Sequence, residues 1–242
     1  MAVAGDMLFS GAGDANIKCW DTTSTYCSQR TLQGHSQPIL AMATSSGFLF
    51  STGLDCSIHM WNTTNLTFVA KITDAHTKAV SSIAANGNYV FTGSLNAIKV
   101  WRFDSSSENM LEYVDDLSDV SNYVRALAIN EDELYAGSTR LVTVWDIGKM
   151  RLKRQISVPG EVFSLLIIKG YILAGTDEKL IHVWRNDESK EFACRLRGHV
   201  GTVHSLASLT TGDSVRLFSA SADRCLRVWS MENMLCAQVS TI

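Results

Sequence analysis

Tryptophan recurs along this chain at nearly equal intervals. Trp20, Trp61, Trp101, Trp145, Trp184 and Trp229 are separated by 41, 40, 44, 39 and 45 residues, and no other Trp occurs. A fixed period of this size marks a repeat array, in which each unit buries its apolar faces against its neighbours. Function in such an array belongs to its surface.

Aligned on Trp, the segments read NIKCW, SIHMW, AIKVW, LVTVW, LIHVW and CLRVW. Their apolar positions alternate and are rich in β-branched residues, the period-2 signature of a strand. About ten residues upstream lies a second apolar run (LFSGAGD, LFSTGLD, VFTGSLN, LYAGSTR, ILAGTDE, LFSASAD), whose Gly, Asp and Asn mark a tight turn into the Trp strand. A third run lies further upstream (ILAMA, VSSIA, VRALA, VFSLL, VHSLA), and a fourth follows Trp (TFVAKI, RLKRQI, MLCAQV). The two prolines, Pro38 and Pro159, are expected in loops. The pattern predicts one all-β domain over residues 1–242, a β-propeller with six visible four-stranded antiparallel blades near 1–33, 34–74, 75–118, 119–157, 158–197 and 198–242. The first blade has almost no chain to supply its innermost strand.

Composition removes several function classes. A net charge of −3 supplies no basic face for nucleic-acid phosphates. No apolar run reaches the length of a membrane span. Met1 to Phe9 lacks the charged start of a signal peptide. Cys19, Cys27, Cys56, Cys194, Cys225 and Cys236 show no CxxC spacing, and read as reduced thiols of a cytoplasmic protein, with entry into the nucleus open. Cys19 occupies a position that is Met60 or Val in the other repeats, and is expected to pack. The sequons at Asn62 and Asn65 read as chance matches.

Gly34-His35, Asp55 and Trp61, then Gly198-His199, Asp223 and Trp229, with Trp-Asp pairs at Trp20-Asp21 and Trp145-Asp146, resemble WD40 repeats along the whole chain. The resemblance implies hydrogen-bonded tetrads of His35, Ser51, Asp55 and Trp61, and of His199, Ser219, Asp223 and Trp229. His76, Thr92, Asn96 and Trp101 form a third set, with Asn96 where Asp is expected. Val120 and Val158 stand at the His position of the next two repeats, and Glu178 replaces Asp in the second of them, so their networks are incomplete. The stretches GSLNAIKVW, GTDEKLIHVW, GHVGTV and FSASADRCLRVWSMENM also resemble the propeller of a RING-type E3 ubiquitin ligase of the TNF-receptor-associated factor family. That resemblance implies a seven-bladed ring, and a RING, zinc finger and coiled coil that this sequence lacks.

The His, Ser and Asp sets invite comparison with a catalytic triad, but they recur at the repeat period, each time with Trp, as a folding device does. His59, His182 and His204 are expected as half-exposed strand residues rather than metal ligands. No GxxxxGKS/T or GxGxxG phosphate loop occurs. No catalytic residue, metal or cofactor is therefore expected. Two charge runs stand out: Asp104, Glu108, Glu112, Asp115, Asp116 and Asp119, then Lys149, Arg151, Lys153 and Arg154. Both fall in outer-strand regions of consecutive repeats and are read as solvated edges that face each other across the rim. An acidic docking patch is the sharper alternative.

By the same resemblance, partner-binding candidates are Gln37, Lys78, Tyr123, Glu161 and Thr202 from the loops before each first strand, and Leu54, Leu95 and Asp177 from the turns before each Trp strand. The expected function is a non-catalytic protein-binding scaffold. It would recognise substrates or kinases for an E3 ubiquitin ligase in ubiquitin and stress-kinase signalling, with mitogen-activated protein kinase kinase kinases or ubiquitination substrates as partners. The alternatives are a generic WD40 adaptor and, least favoured, a propeller enzyme. A ring left unclosed would expose apolar blade faces, so residues 1–242 are expected to associate or to be poorly soluble.

Overall fold

The computed structural model describes residues 1–23, 28–187, 191–212 and 214–230. Among these residues the secondary structure is strand and turn, and the contacts fall into two compact units, Met1–Val124 and Arg125–Ile242.

The first unit holds three four-stranded antiparallel sheets. In the first, β1 (Ala2–Ala4), β2 (Met7–Gly11), β3 (Asn16–Asp21) and β4 (Ser28–Gln33) pair in sequence order. The innermost strand, expected to be almost missing, is therefore present as three residues, with Ala2 opposite Phe9 and Val3 opposite Leu8. The second sheet runs β5 (Ile39–Ser45), β6 (Phe48–Gly53), β7 (Ile58–Asn62) and β8 (Phe68–Ile72). The third runs β9 (Ser82–Ala85), β10 (Tyr89–Ser94), β11 (Ala97–Phe103) and β12 (Leu111–Leu117). Register follows the alternation read from sequence: Leu49 lies opposite Trp61 and Phe50 opposite Met60, so neighbouring residues feed opposite faces.

The second unit departs from the expected six four-stranded blades. The chain as a whole forms five, among the described residues. Here β13 (Ala126–Asn130), β14 (Glu133–Asp146), β15 (Arg151–Ile168), β16 (Tyr171–Thr176), β17 (Ile181–Arg185) and β18 (Phe192–Leu196) make one six-stranded sheet. The last sheet has three strands, β19 (Val203–Thr211), β20 (Ser214–Ser221) and β21 (Leu226–Ser230). The outer run expected at Cys236–Val239 lies outside the described residues.

The join has a local cause. Where the second sheet has Gly34-His35 and an Asp55 turn, this region has Val158 and a turn at Thr139-Arg140, with Arg140 at φ 60°. The chain continues through Pro159-Gly160 without a loop, and Thr139 pairs with Glu161 beyond a break in the ladder. Pro159 thus lies within β15 and not in a loop. It sits in the gap between the Leu141–Ser157 and Thr139–Glu161 pairs, where a missing N–H leaves no rung empty. Gly160 at φ 79° provides the bend.

Side chains from adjoining sheets make the cores. Phe9, Ile17, Cys19 and Leu32 of the first sheet pack with Ile39, Leu49 and Trp61 of the second. Burial pushes the Cys19 thiol up to about 11, leaving it an inert packing group. At the strand ends, Gly53 lies under the Pro38 carbonyl, which accepts the Leu54 N–H at 2.9 Å. An added Cβ at Gly53 would stand 2.3 Å from that oxygen. Gly53→Ala should therefore cost about 2–3 kcal/mol by forced backbone displacement. Gly13→Ala, where a Cβ meets nothing within 4 Å, serves as the control in a urea melt. Equal midpoints would refute the argument.

Candidate interaction face

Under the turns of the second sheet a chain of polar groups is closed on itself. His35 Nδ1 donates to Asp55 at 2.8 Å, and the Ser51 hydroxyl donates to His35 Nε2 at 2.8 Å. Ser51 Oγ in turn accepts the Trp61 indole N–H at 2.9 Å. Asp55 also accepts from Ser36 N–H and from the Ser57 hydroxyl. Burial pushes the Asp55 carboxyl up, but the Ser57, His35 and Ser36 hydrogen bonds outweigh it and hold the group below its usual range. His199, Ser219, Asp223 and Trp229 repeat this arrangement in the last sheet, at 2.8, 2.7 and 2.9 Å.

Three incomplete sets show how an indole is satisfied without the full network. In the third sheet Thr92 bonds both His76 and Trp101 at 2.8 Å, while the Asn96 amide turns to the Asn122 N–H. In the first, Trp20 donates to Ser10 at 2.8 Å. Ala136 removes the expected hydroxyl for Trp145, and Thr143, two residues earlier on its own strand, accepts the indole at 3.1 Å. That substitute was not read from the sequence, although Thr143 is the one hydroxyl at its repeat position.

His59 and His182 share that position and are fully buried, not half-exposed as expected. His59 stacks on His35 with ring centroids 3.8 Å apart, and His182 stacks beside Trp184. Neither offers a ring nitrogen to a partner. Burial is the largest effect on His59 and brings it down to about 4, and it lowers His182 as well. His35, Asp55 and His59 place one donor atom each within 4.8 Å, the residue types of a metal site. Both His35 nitrogens are already engaged, by Asp55 and Ser51, so the cluster works as a folding device. His204 is exposed and meets Phe163 edge-on at 5.2 Å.

The loops above these tetrads are stitched together in the first unit. Leu54 N–H bonds the Pro38 carbonyl, and Val80 N–H bonds that of Gly53. The Ser94 hydroxyl reaches the Lys78 and Ala79 carbonyls, and Asn96 N–H bonds Asn122. Gln37, Leu54, Lys78, Leu95 and Tyr123 consequently lie on loops at one end of the sheets. Gln37, Leu54 and Lys78 are exposed, whereas Leu95 and Tyr123 are half-buried and bridge each other. Leu40, 44% exposed beside Leu54 at 41%, was missed. Its signal was available: it alternates with buried Ile39.

In the second unit Glu161 and Asp177 join through the Glu161 N–H at 2.7 Å, and Thr202 bonds Ala222. Arg125, also missed, donates to Glu161 at 2.6 Å and lies 5.1 Å over the Phe163 ring. Members of both charge runs find partners inside their own units. Glu112 pairs with Arg102, Lys153 with Glu133, and Arg154 reaches Asn186. At the opposite strand ends of the first unit, Tyr89, Arg102 and Asp104 line a cleft of about 460 Å³ formed by turns.

The WD domain, G-beta repeat model matches residues 26–62, 67–102 and 190–230. Over 108 residues the chain is 31% identical to Zinc finger CCCH domain-containing protein 17 of Oryza sativa subsp. japonica, which takes in 43% of this chain and 24% of that relative. Among solved structures, the computationally designed Ika8 protein matches with a TM-score of 0.79 at 22% identity, over 98% of this chain and 72% of its own. U3-55K matches at 0.77 and 21% identity, over 91% and 72%. The fold is that of a β-propeller. The three segments that this model matches are WD40 repeats.

Proposed function

We propose that this chain is a non-catalytic scaffold that holds protein partners on the loop face above the tetrads. One observation carries the reading: buried acid, base and hydroxyl groups are spent on one another, as in His35–Asp55–Ser51–Trp61, while the loops over them present exposed Leu54 and Lys78, and the start of β5 presents exposed Leu40. Exposed apolar groups beside a cation are the anchors a protein interface uses. Leu54→Asp with Lys78→Glu should lower partner capture by the immobilised chain at least about tenfold with an unchanged melt. Charge reversal at Glu112, Asp115 and Asp116 should leave capture intact. The opposite pattern would move binding to the rim.

A narrower reading, that the partners are ubiquitination substrates or mitogen-activated protein kinase kinase kinases served by a cytoplasmic RING-type ligase assembly, rests on the resemblance of GSLNAIKVW and FSASADRCLRVWSMENM alone. The proteins recovered in the same capture distinguish it from a generic WD40 adaptor.

A further inference from the structure

The strand that follows each tryptophan leaves one backbone edge open. In the third sheet that strand is β12, which pairs with β11 on one side and, among the described residues, with no strand on the other. Glu112, Tyr113, Val114, Asp115 and Asp116 are exposed in succession along it, Tyr113 at 49% and Val114 at 44%. The corresponding strands β4, β8, β15 and β18 each carry a cation, such as Arg30, Lys71, Arg151 and Arg195, whereas β12 carries none. Charged side chains on an edge, lysine above all, keep stray strands away. An edge guarded by carboxylates alone repels acidic segments, including β12 of another copy, and attracts basic ones.

The ladder sorts these carboxylates by face. Arg102 lies opposite Glu112, Trp101 opposite Tyr113, Val100 opposite Asp115 and Lys99 opposite Asp116. Opposed residues share a face, so Glu112 and Asp115 stand on the Val100 face, and Tyr113 and Asp116 on the Trp101 face. Val114 is the extra residue of the bulge between them. Side-chain contacts agree: Tyr113 meets Trp101 edge-on at 5.7 Å, and Lys99 Nζ lies 5.4 Å from the Tyr113 ring. Glu112 is paired with Arg102, while no cation pairs with Asp115 or Asp116 among the described residues. The edge therefore offers one unpaired carboxylate to each face at adjacent positions.

We propose that the free edge of β12 takes a short extended segment of another protein as an added strand, and that this segment carries two consecutive basic residues flanked by β-branched ones. Charge complementarity selects the occupant. Neighbouring residues of a strand point to opposite faces, so a Lys-Lys or Arg-Arg step meets Asp115 on one face and Asp116 on the other. The flanking side chains cover Tyr113 and Val114, and main-chain hydrogen bonds add affinity. The bulge interrupts pairing and keeps the segment short. This edge is separate from the loop face, and partners held there do not depend on it.

Fluorescence anisotropy of labelled hexapeptides on the whole chain, in about 50 mM salt to limit screening, tests this. Val-Thr-Lys-Lys-Thr-Val should bind. Its isomer Val-Lys-Thr-Lys-Thr-Val puts both lysines on one face and should bind at least about fivefold more weakly. Val-Pro-Lys-Lys-Pro-Val keeps the charges but lacks two backbone donors, and should lose at least about tenfold. Asp115→Lys with Asp116→Lys, shown to be folded by unchanged near-ultraviolet circular dichroism, should lose the first peptide and take Val-Thr-Glu-Glu-Thr-Val instead. Equal binding of the three basic peptides would mean diffuse charge attraction without strand addition. No binding of the first peptide, or binding that survives the double reversal, would also overturn the proposal. So would association of the peptide-free chain that the reversal abolishes, since the edge would then belong to a second copy.

Discussion

Trp61→Ala should lower the free energy of unfolding by about 4 kcal/mol, and Trp20→Ala by about half as much. Both indoles donate a hydrogen bond to a serine one strand away, at 2.9 and 2.8 Å. They differ in what surrounds them. Trp61 is 2% exposed, packs with Phe9, Cys19 and Leu49, and meets Phe68 edge-on at 5.3 Å. Its removal leaves a dry cavity and takes the donor from Ser51, whose oxygen ties His35 and Asp55 into one network. Trp20 is half-exposed, so water fills its place and only part of the transfer energy is lost. Urea melts at one low protein concentration compare the two, since any self-association adds to apparent stability. Equal losses would mean that burial does not set the worth of these tryptophans.

Stability should fall as pH is lowered from about 6.5 to about 4, because His59 and His76 are buried neutral. Burial, aided by His35 and Lys71 for the first and Lys99 for the second, brings both down to about 4 in the folded state. As pH drops, the unfolded chain takes up these protons first, at about pH 6.5. Folded stability is therefore complete above that pH, declines through the window, and loses nothing further from these groups below about 4. Each histidine accounts for up to about 3 kcal/mol over the window. His59→Thr, the residue found at the same repeat position as Thr143, should remove its share of the slope between melts at about pH 7 and pH 4.5. Asp223 acts only at lower pH. Burial pushes its carboxyl up, but the Val200 N–H, His199 and Cys225 N–H bonds overcome this and hold it well below the usual range. A flat pH response in the wild type, or an unaltered slope in His59→Thr, would sink the account.

Much of the fold was legible because its determinants are short-range. Alternation in NIKCW and its relatives put Ile17 and Cys19 on one face of a strand, and both are fully buried there. Turn residues placed Asp55 and Asp223 where backbone N–H groups need acceptors. The number of blades was less legible. The tryptophan period counts Trp strands, whereas a sheet is bounded by where backbone pairing stops. Between β14 and β15 it does not stop, since Val158-Pro159-Gly160 replaces the Gly-His loop and lets Thr139 pair with Glu161.

The candidate face was legible in kind and less so in detail. Gln37, Leu54 and Lys78 stand exposed on its loops, but Leu95 and Tyr123 are half-buried where their backbones pair. Arg125 entered through Phe163 and Glu161, residues 38 and 36 positions away, a pairing no local pattern announces. The burial of His59 was hidden for a similar reason. Its strand position allows either exposure or burial, and the ring of His35, brought over by a separate loop, decides it.

The sequence by itself determined the strands, their faces, the turns between them and the residue types able to satisfy each buried tryptophan, because these depend on neighbours within a few positions. The tertiary structure alone decided which faces are covered. That separates Trp61 from Trp20 and Phe50 from Phe218, residues alike in local sequence, because burial is set by the sheet packed opposite and not by the strand that carries the side chain.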